Sequence, residues 1–322
     1  MTSPIIEALR NGNWLDAARV RRVALLSLVA TVATVAYLFG TAHGTLDALR
    51  RPLGTDFSNV WSAGAMALDG QAPLAWNWNA HRHAQQVLHG DPNVPFYGWH
   101  YPPPFLMVAA LLALLPYKAA LIAWQLSTLA WAARVVQRIL PGRDTLLVAL
   151  GAPVVLVCLG HGHNGFLTAA LFGSGLLWLD RRPWLAGALL GCLVYKPQFA
   201  VLLPLVLLAG GHWRAIGGAA ASAALLVAAT WLWWGWPVWQ AFVDSLPLTR
   251  QVVIEQGSTG WHKIQTGFAA ARALGLEVAP AYAVQTMLTG TALVTAAALA
   301  RYGSAAVRNA GVLAAALLST PY

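Results

Sequence analysis

A small set of side chains in this 322-residue sequence has the types and neighbours to do chemistry. Asp56 stands in Thr-Asp-Phe-Ser, just before an aromatic- and Ala-rich stretch. A carboxylate against a low-dielectric wall can act as a general base, because desolvation disfavours its charged form. The same residue also fits an N-cap for the helix that begins nearby. Lys196 lies in Tyr195-Lys196-Pro197-Gln198, between two apolar runs. An ammonium there can neutralise a phosphate as a point charge, or snorkel at a membrane edge. Tyr195 and Gln198 add hydrogen-bonding capacity beside it. His161, His163 and Asn164 form Gly-His-Gly-His-Asn. Histidines two apart do not share a helical face, and no Cys or carboxylate lies beside them, which argues against zinc. They suit hydrogen bonding to a polar substrate or phosphate, or a plain interhelical turn with Gly for the bend. Tyr101 before Pro102-Pro103, and His262 and Lys263 after Trp261, complete the set. His81, His83, His89 and His100 read as solvated loop or interface groups rather than a metal tract. No metal and no cofactor are expected, and no Walker loop, GxSxG or HExxH occurs.

The elements that must hold these residues are apolar. Hydrophobic residues make up 58% of the chain and charged residues 10%, against about 25% charged in a soluble domain. That defines an all-α polytopic membrane protein, read as a single intramembrane domain over 1–322. The net charge of +9 does not imply a nucleic-acid partner. The basic residues sit in short runs at segment ends, where the positive-inside rule places them. Cys158 and Cys192 fall within apolar runs, so no disulfide framework is implied.

Arg19, Arg21 and Arg22 precede the first span and put the N-terminus in the cytoplasm. Residues up to about Ala18 read as a short surface piece. The spans are expected near 21–40, 118–138, 145–160, 165–180, 184–196, 197–210, 215–235, 280–300 and 310–322. Residues 105–115 reach only about 17 Å as a helix, short of a ~30 Å core. Treated as half-inserted from outside, they leave Arg134, Arg138, Arg143, Arg181, Arg182, Arg214, Arg301 and Arg308 inside. The short pieces meeting at Lys196-Pro197 suit a helix break that lines a cavity. Two long outer loops follow, 41–104 and 236–279, and the polar set gathers on their side of the membrane. The Trp cluster from Trp231 to Trp239 belongs to an interfacial belt. The final run stops at Pro321-Tyr322 and reads as the end of a fragment.

An Asp after the first span, a Tyr-Pro-Pro element closing the outer loop, a Gly-His-x-x-Asn-type turn and a Lys-Pro-Gln break occur in that order. Together they resemble the GT-C membrane glycosyltransferases, and among these glycosyltransferase family 87, whose Ser-Pro-Tyr segment is similar to Ser319-Thr320-Pro321-Tyr322. The resemblance runs from about residue 20 to 322. It implies a GT-C-type bundle with long periplasmic loops in a bacterial inner membrane. The donor would be a polyprenyl-phosphate sugar, mannose first, and the acceptor a glycan or glycolipid hydroxyl. Asp56 would act as base in an inverting transfer, while Lys196, with His161, His163 or His262, would stabilise the departing phosphate. The family turn more often carries Gln where this chain has His161. Two other readings stay open. A lipid-linked-sugar flippase would show inverted repeats and charges along a path through the bilayer, and neither is evident. A non-catalytic scaffold of a glycan assembly complex would tolerate loss of Asp56 and Lys196.

Overall fold

A computed structural model describes residues 11–12, 15–258 and 260–321. Most of the expected N-terminal surface piece, and Tyr322, lie outside the described residues. The described chain is helical, and its only β-type pairings are isolated bridges around Leu46. Four helices are long and apolar enough to cross a membrane: Ala17–Gly40, Tyr117–Ile139, Trp213–Trp234 and Val278–Tyr302. Shorter apolar helices occupy the expected spans near 165–180, 184–196, 197–210 and 310–322. The all-α polytopic reading holds.

The chain forms two compact units from interleaved segments. The first holds the residues up to Trp61 together with Gln85–Tyr97 and Leu115–Gly173. Its first helix, α1 (Ala17–Gly40), starts where Asp16 accepts a hydrogen bond from the Arg19 amide at 2.7 Å. Twenty-four residues extend about 36 Å, enough for the hydrocarbon core. Its exposed Val23, Leu26, Val29 and Val32 form a lipid-compatible face. Along the chain follow α2 (Thr55–Leu68), α3 (Trp78–His89), α4 (Pro103–Ala113) and α5 (Tyr117–Ile139), of which α4, the end of α2 and the start of α3 fall in the second unit. The expected span 145–160 is two helices, α6 (Thr145–Leu150) and α7 (Pro153–His161). Pro153 cannot continue α6, lacking the N–H and crowding the residue before it. The break also lets α1 approach closely: a Cβ on Gly151 would meet the Ala24 carbonyl at 2.2 Å. Arg21 and Asp144 pair at 2.7 and 2.9 Å beside it. Val155, Cys158, Phe166, Ala170 and Ala132 form one hydrophobic core cluster of this unit.

The second unit holds Ser62–Ala84, Gly98–Leu114 and the chain from Ser174. The helix α8 (Gly165–Trp178) leads into α9 (Pro183–Gly191), α10 (Leu202–Ala209) and α11 (Trp213–Trp234). Helices α9 and α11 pack backbone to backbone. Cβ atoms on Gly187, Gly191 and Gly218 would fall 1.9, 2.3 and 2.3 Å from the Ala215, Ala219 and Trp184 carbonyls. Small residues at such crossings supply van der Waals contact where lipid removes the hydrophobic driving force. The outer loops are not coil. The first contains α2, a 3-10 turn at Ala72–Trp76 and α3. The second contains α12 (Trp236–Thr249), a π turn at Arg250–Glu255 and α13 (Gly267–Ala273). The chain closes with α14 (Val278–Tyr302) and α15 (Ala305–Leu318). Gln285 ties three of these pieces together, accepting from the Phe268 amide and donating to the Leu318 carbonyl.

Candidate active site

The site in the first unit starts from two glycines. Gly162 ends α7 in the left-handed region, with φ +63°. The Gly162 and His163 amides bond back to the Leu159 and Cys158 carbonyls at 3.3 and 3.0 Å, a Schellman-type helix end that favours Gly. Gly54, φ +62°, precedes the first residue of α2. The two turns touch. A Cβ on Gly162 would lie 2.6 Å from the Phe57 Cβ and 3.3 Å from the Gly54 Cα. Gly-His-Gly-His-Asn is therefore an interhelical turn, and the same turn delivers its histidines to the start of α2.

Asp56 is the second residue of α2, so it does not cap the helix. A negative charge is favourable in that first turn. Its carboxylate makes no hydrogen bond among the described residues; the nearest basic group is His163 Nε2, 4.0 Å from Oδ2. Both side chains are about two-fifths exposed, at 37% and 41%. The Gly165 amide donates to His163 Nδ1 at 3.1 Å. Nδ1 is thus the acceptor, and a neutral ring carries its proton on Nε2, the nitrogen nearer Asp56. Gln125 pins the turn by donating to the His163 carbonyl at 3.1 Å. Beside this pair, Thr55 Oγ1 and His161 Nδ1 are 2.7 Å apart.

Two residues escaped the sequence reading. Thr55 joins His161 to the corner, and Tyr97 adds a phenol that hydrogen-bonds Thr55. Burial chiefly, then the Asp56 carboxylate, pushes the Tyr97 phenol above its usual range. Thr55 adjoins Asp56 in sequence, which is a usable hint; Tyr97 carried none. Asn164 is buried at 3% exposure, and its side-chain amide has no hydrogen-bonding partner among the described residues. An amide in that state costs free energy unless something else satisfies it.

The His-rich loop reading needs correction. His83 is exposed, but His81 and His89 are buried. His89 is a structural bracket: its Nδ1 meets Thr45 Oγ1 at 2.7 Å and its Nε2 meets Ser58 Oγ at 2.8 Å. Burial lowers its pKa to about 4. Tyr117 supports the same bracket, donating to the Leu53 carbonyl at 2.6 Å. His100 contacts Thr249 Oγ1 at 3.0 Å and is also lowered to about 4 by burial. These histidines fold the outer helices because α2 and α3 give them an interior to occupy.

The remaining candidates belong to the second unit. Tyr101 and Tyr195 both pack against Phe105, with ring centroids 4.6 and 4.8 Å away. The Tyr-Pro-Pro element and the Lys-Pro-Gln break are thereby neighbours. Lys196 joins two 3-10 turns, Cys192–Tyr195 and Pro197–Phe199, with φ −121° and ψ 80°. Lys196 and Gln198 are half-buried. His262 and Lys263 are exposed on the turn Trp261–Lys263. That turn packs through Trp261 against the Phe268 cluster.

These features define a multi-pass helical membrane protein that carries an acid–histidine corner at a helix start. The sequence model of glycosyltransferase family 87 matches residues 99–321, well over half of the chain. The chain belongs to glycosyltransferase family 87 and is a membrane glycosyltransferase. The matched stretch includes the histidine turn and Lys196, whereas Asp56 precedes it. No curated protein and no solved structure gives a significant match.

Proposed function

We propose that residues 1–322 act as one catalytic domain that moves a sugar, mannose in the first instance, from a polyprenyl-phosphate donor to a hydroxyl acceptor. The acceptor is a glycan or glycolipid, and the reaction takes place at the periplasmic face of a bacterial inner membrane. The acceptor oxygen gives its proton to Asp56 and bonds to C1 of the sugar. The C1–O bond to phosphate breaks on the opposite side, inverting the anomeric centre. The polyprenyl phosphate leaves with the electron pair, and Lys196 neutralises the charge it gains. The observation that carries the reading is the Asp56 carboxylate, part-exposed and without a hydrogen bond among the described residues, with His163 Nε2 at 4.0 Å. A base must be open to its substrate, and a nearby imidazole can orient it. Thr55, Tyr97, His161 and Asn164 offer hydroxyl, imidazole and amide groups to the sugar or acceptor. Tyr195, Gln198, His262, Lys263 and Tyr101 remain proposed donor contacts on their sequence context.

The test is transfer of radiolabelled sugar from a panel of polyprenyl-phosphate sugars by membranes containing the protein or its Asp56→Ala variant. Transfer by the parent that disappears in the variant supports donor class and base together. Undiminished transfer by the variant removes Asp56 from the mechanism.

A further inference from the structure

A second polar cluster lies in the second unit, at the edge that the arginine bias assigns to the cytoplasm. Three helix junctions meet there: α8 to α9, α10 to α11, and α14 to α15. Arg308, in the first turns of α15, is buried at 7% exposure. Its guanidinium donates to both Asp180 oxygens at 3.0 and 2.8 Å. Arg308 Nη1 also lies 3.4 Å from His212 Nε2. A guanidinium only donates, so His212 accepts at Nε2 and keeps its proton on Nδ1. Each Asp180 oxygen accepts one bond from this fork, while the side chain stays about half exposed. The other charges on these junctions are Arg181, Arg182, Arg214 and Arg301, all positive.

Beside this cluster is a cavity of about 340 Å³, lined by Leu179, Asp180, Pro183, His212, Trp213 and Arg214 among others. Its walls are of two kinds. Leu179, Pro183 and the Trp213 ring are apolar, while His212 offers an N–H and Arg214 an exposed guanidinium. Arg182 lies over the Trp178 ring at 4.6 Å, whereas Arg214 makes no ion pair among the described residues. Trp184 and Trp213, 59% and 68% exposed, are the residue type that settles at headgroup depth. A cationic rim on a part-apolar cavity at that depth matches a lipid phosphate with its glycerol and first methylenes. Basic pockets between membrane helices recognise anionic headgroups in this way.

We infer that the cavity between the α9 and α11 starts is a binding site for the headgroup of an anionic phospholipid, held by Arg214 and His212 against the fixed Asp180–Arg308 pair. The site is independent of the transfer reaction, so its test carries no activity readout. Apparent unfolding midpoints would be compared for purified protein in detergent with added phosphatidylglycerol, phosphatidylcholine or inorganic phosphate. A lipid bound only by the folded state raises the midpoint, here by about 5 °C for phosphatidylglycerol over phosphatidylcholine. Arg214→Ala should lose at least half of that rise. Arg134→Ala, which removes an exposed arginine of the first unit, should keep it. Equal rises in Arg214→Ala and the parent, or no rise with phosphatidylglycerol, would overturn the site. A rise of the same size with inorganic phosphate alone would overturn its assignment to a lipid.

Discussion

Asp56 and Asp180 are both aspartates at helix ends with a basic partner, and the chain treats them in opposite ways. Asp180 is held by a bidentate guanidinium at 2.8 and 3.0 Å from a buried Arg308. The Arg308 hydrogen bonds keep its carboxyl below the usual range, outweighing burial, which acts to raise it. Asp56 has no hydrogen bond among the described residues, with an imidazole at 4.0 Å. A carboxylate held on both oxygens by a bidentate guanidinium stabilises the fold and is a weaker base for a substrate. One placed by backbone geometry alone keeps its lone pairs available. The difference separates a structural acid from a candidate base more clearly than sequence context does.

The largest expected effect falls on the open acid. Asp56→Asn should lower sugar transfer by about 10²–10⁴-fold, the usual worth of a general base, with the unfolding midpoint unchanged. Next is the glycine contact that places it. Gly162→Ala adds a Cβ 2.6 Å from the Phe57 Cβ in a left-handed conformation. Strain of about 1–2 kcal/mol should combine with displacement of His163 and a transfer rate lowered about 10²-fold, the usual cost of a 1 Å misplacement. Transfer at parental rate by Gly162→Ala would break the link between turn and site.

The closed pair should respond through stability. Arg308→Met should cost about 2 kcal/mol, less than the ~3–5 of a fully buried pair, because Asp180 is half exposed. The sign of the pH effect follows from the depressed carboxyl. The Asp180 contribution is complete above the unfolded value of about 4 and is lost as pH falls through the folded one. Denaturation in detergent across pH 6 to 3 reads both, and the Met variant should show a flatter acid limb. The smallest effect is at His163. His163→Gln retains a donor towards Asp56 and should cost about 10-fold in kcat with little change in KM. An unchanged kcat would reduce His163 to a turn residue.

How legible this was depends on the range of each interaction. The membrane helices could be read because an apolar run of span length is a local property. The break at Lys196-Pro197 is equally local, whereas Pro153 divides a run that reads from sequence as one span, 145–160. Asp56 and the Gly-His-Gly-His-Asn turn were legible as candidates, although their meeting depends on Gly54 and Gly162 touching across more than a hundred residues of chain. Thr55 and Tyr97 were missed because neither type is unusual where it stands. His89 was read as a solvated or interface group because nothing local shows that the loop 41–104 encloses an interior of its own. The Asp180–Arg308 pair spans 128 residues, and nothing near either residue announces the other.

The account turns on the contrast between the two aspartates, and one paired measurement addresses it. Asp56→Asn and Asp180→Asn would be compared for sugar transfer per folded molecule and for unfolding midpoint. The expected result is a crossover: Asp56→Asn folded and at least 10²-fold slower, Asp180→Asn active but melting several degrees lower. Loss of transfer in Asp180→Asn, with parental transfer in Asp56→Asn, would contradict it.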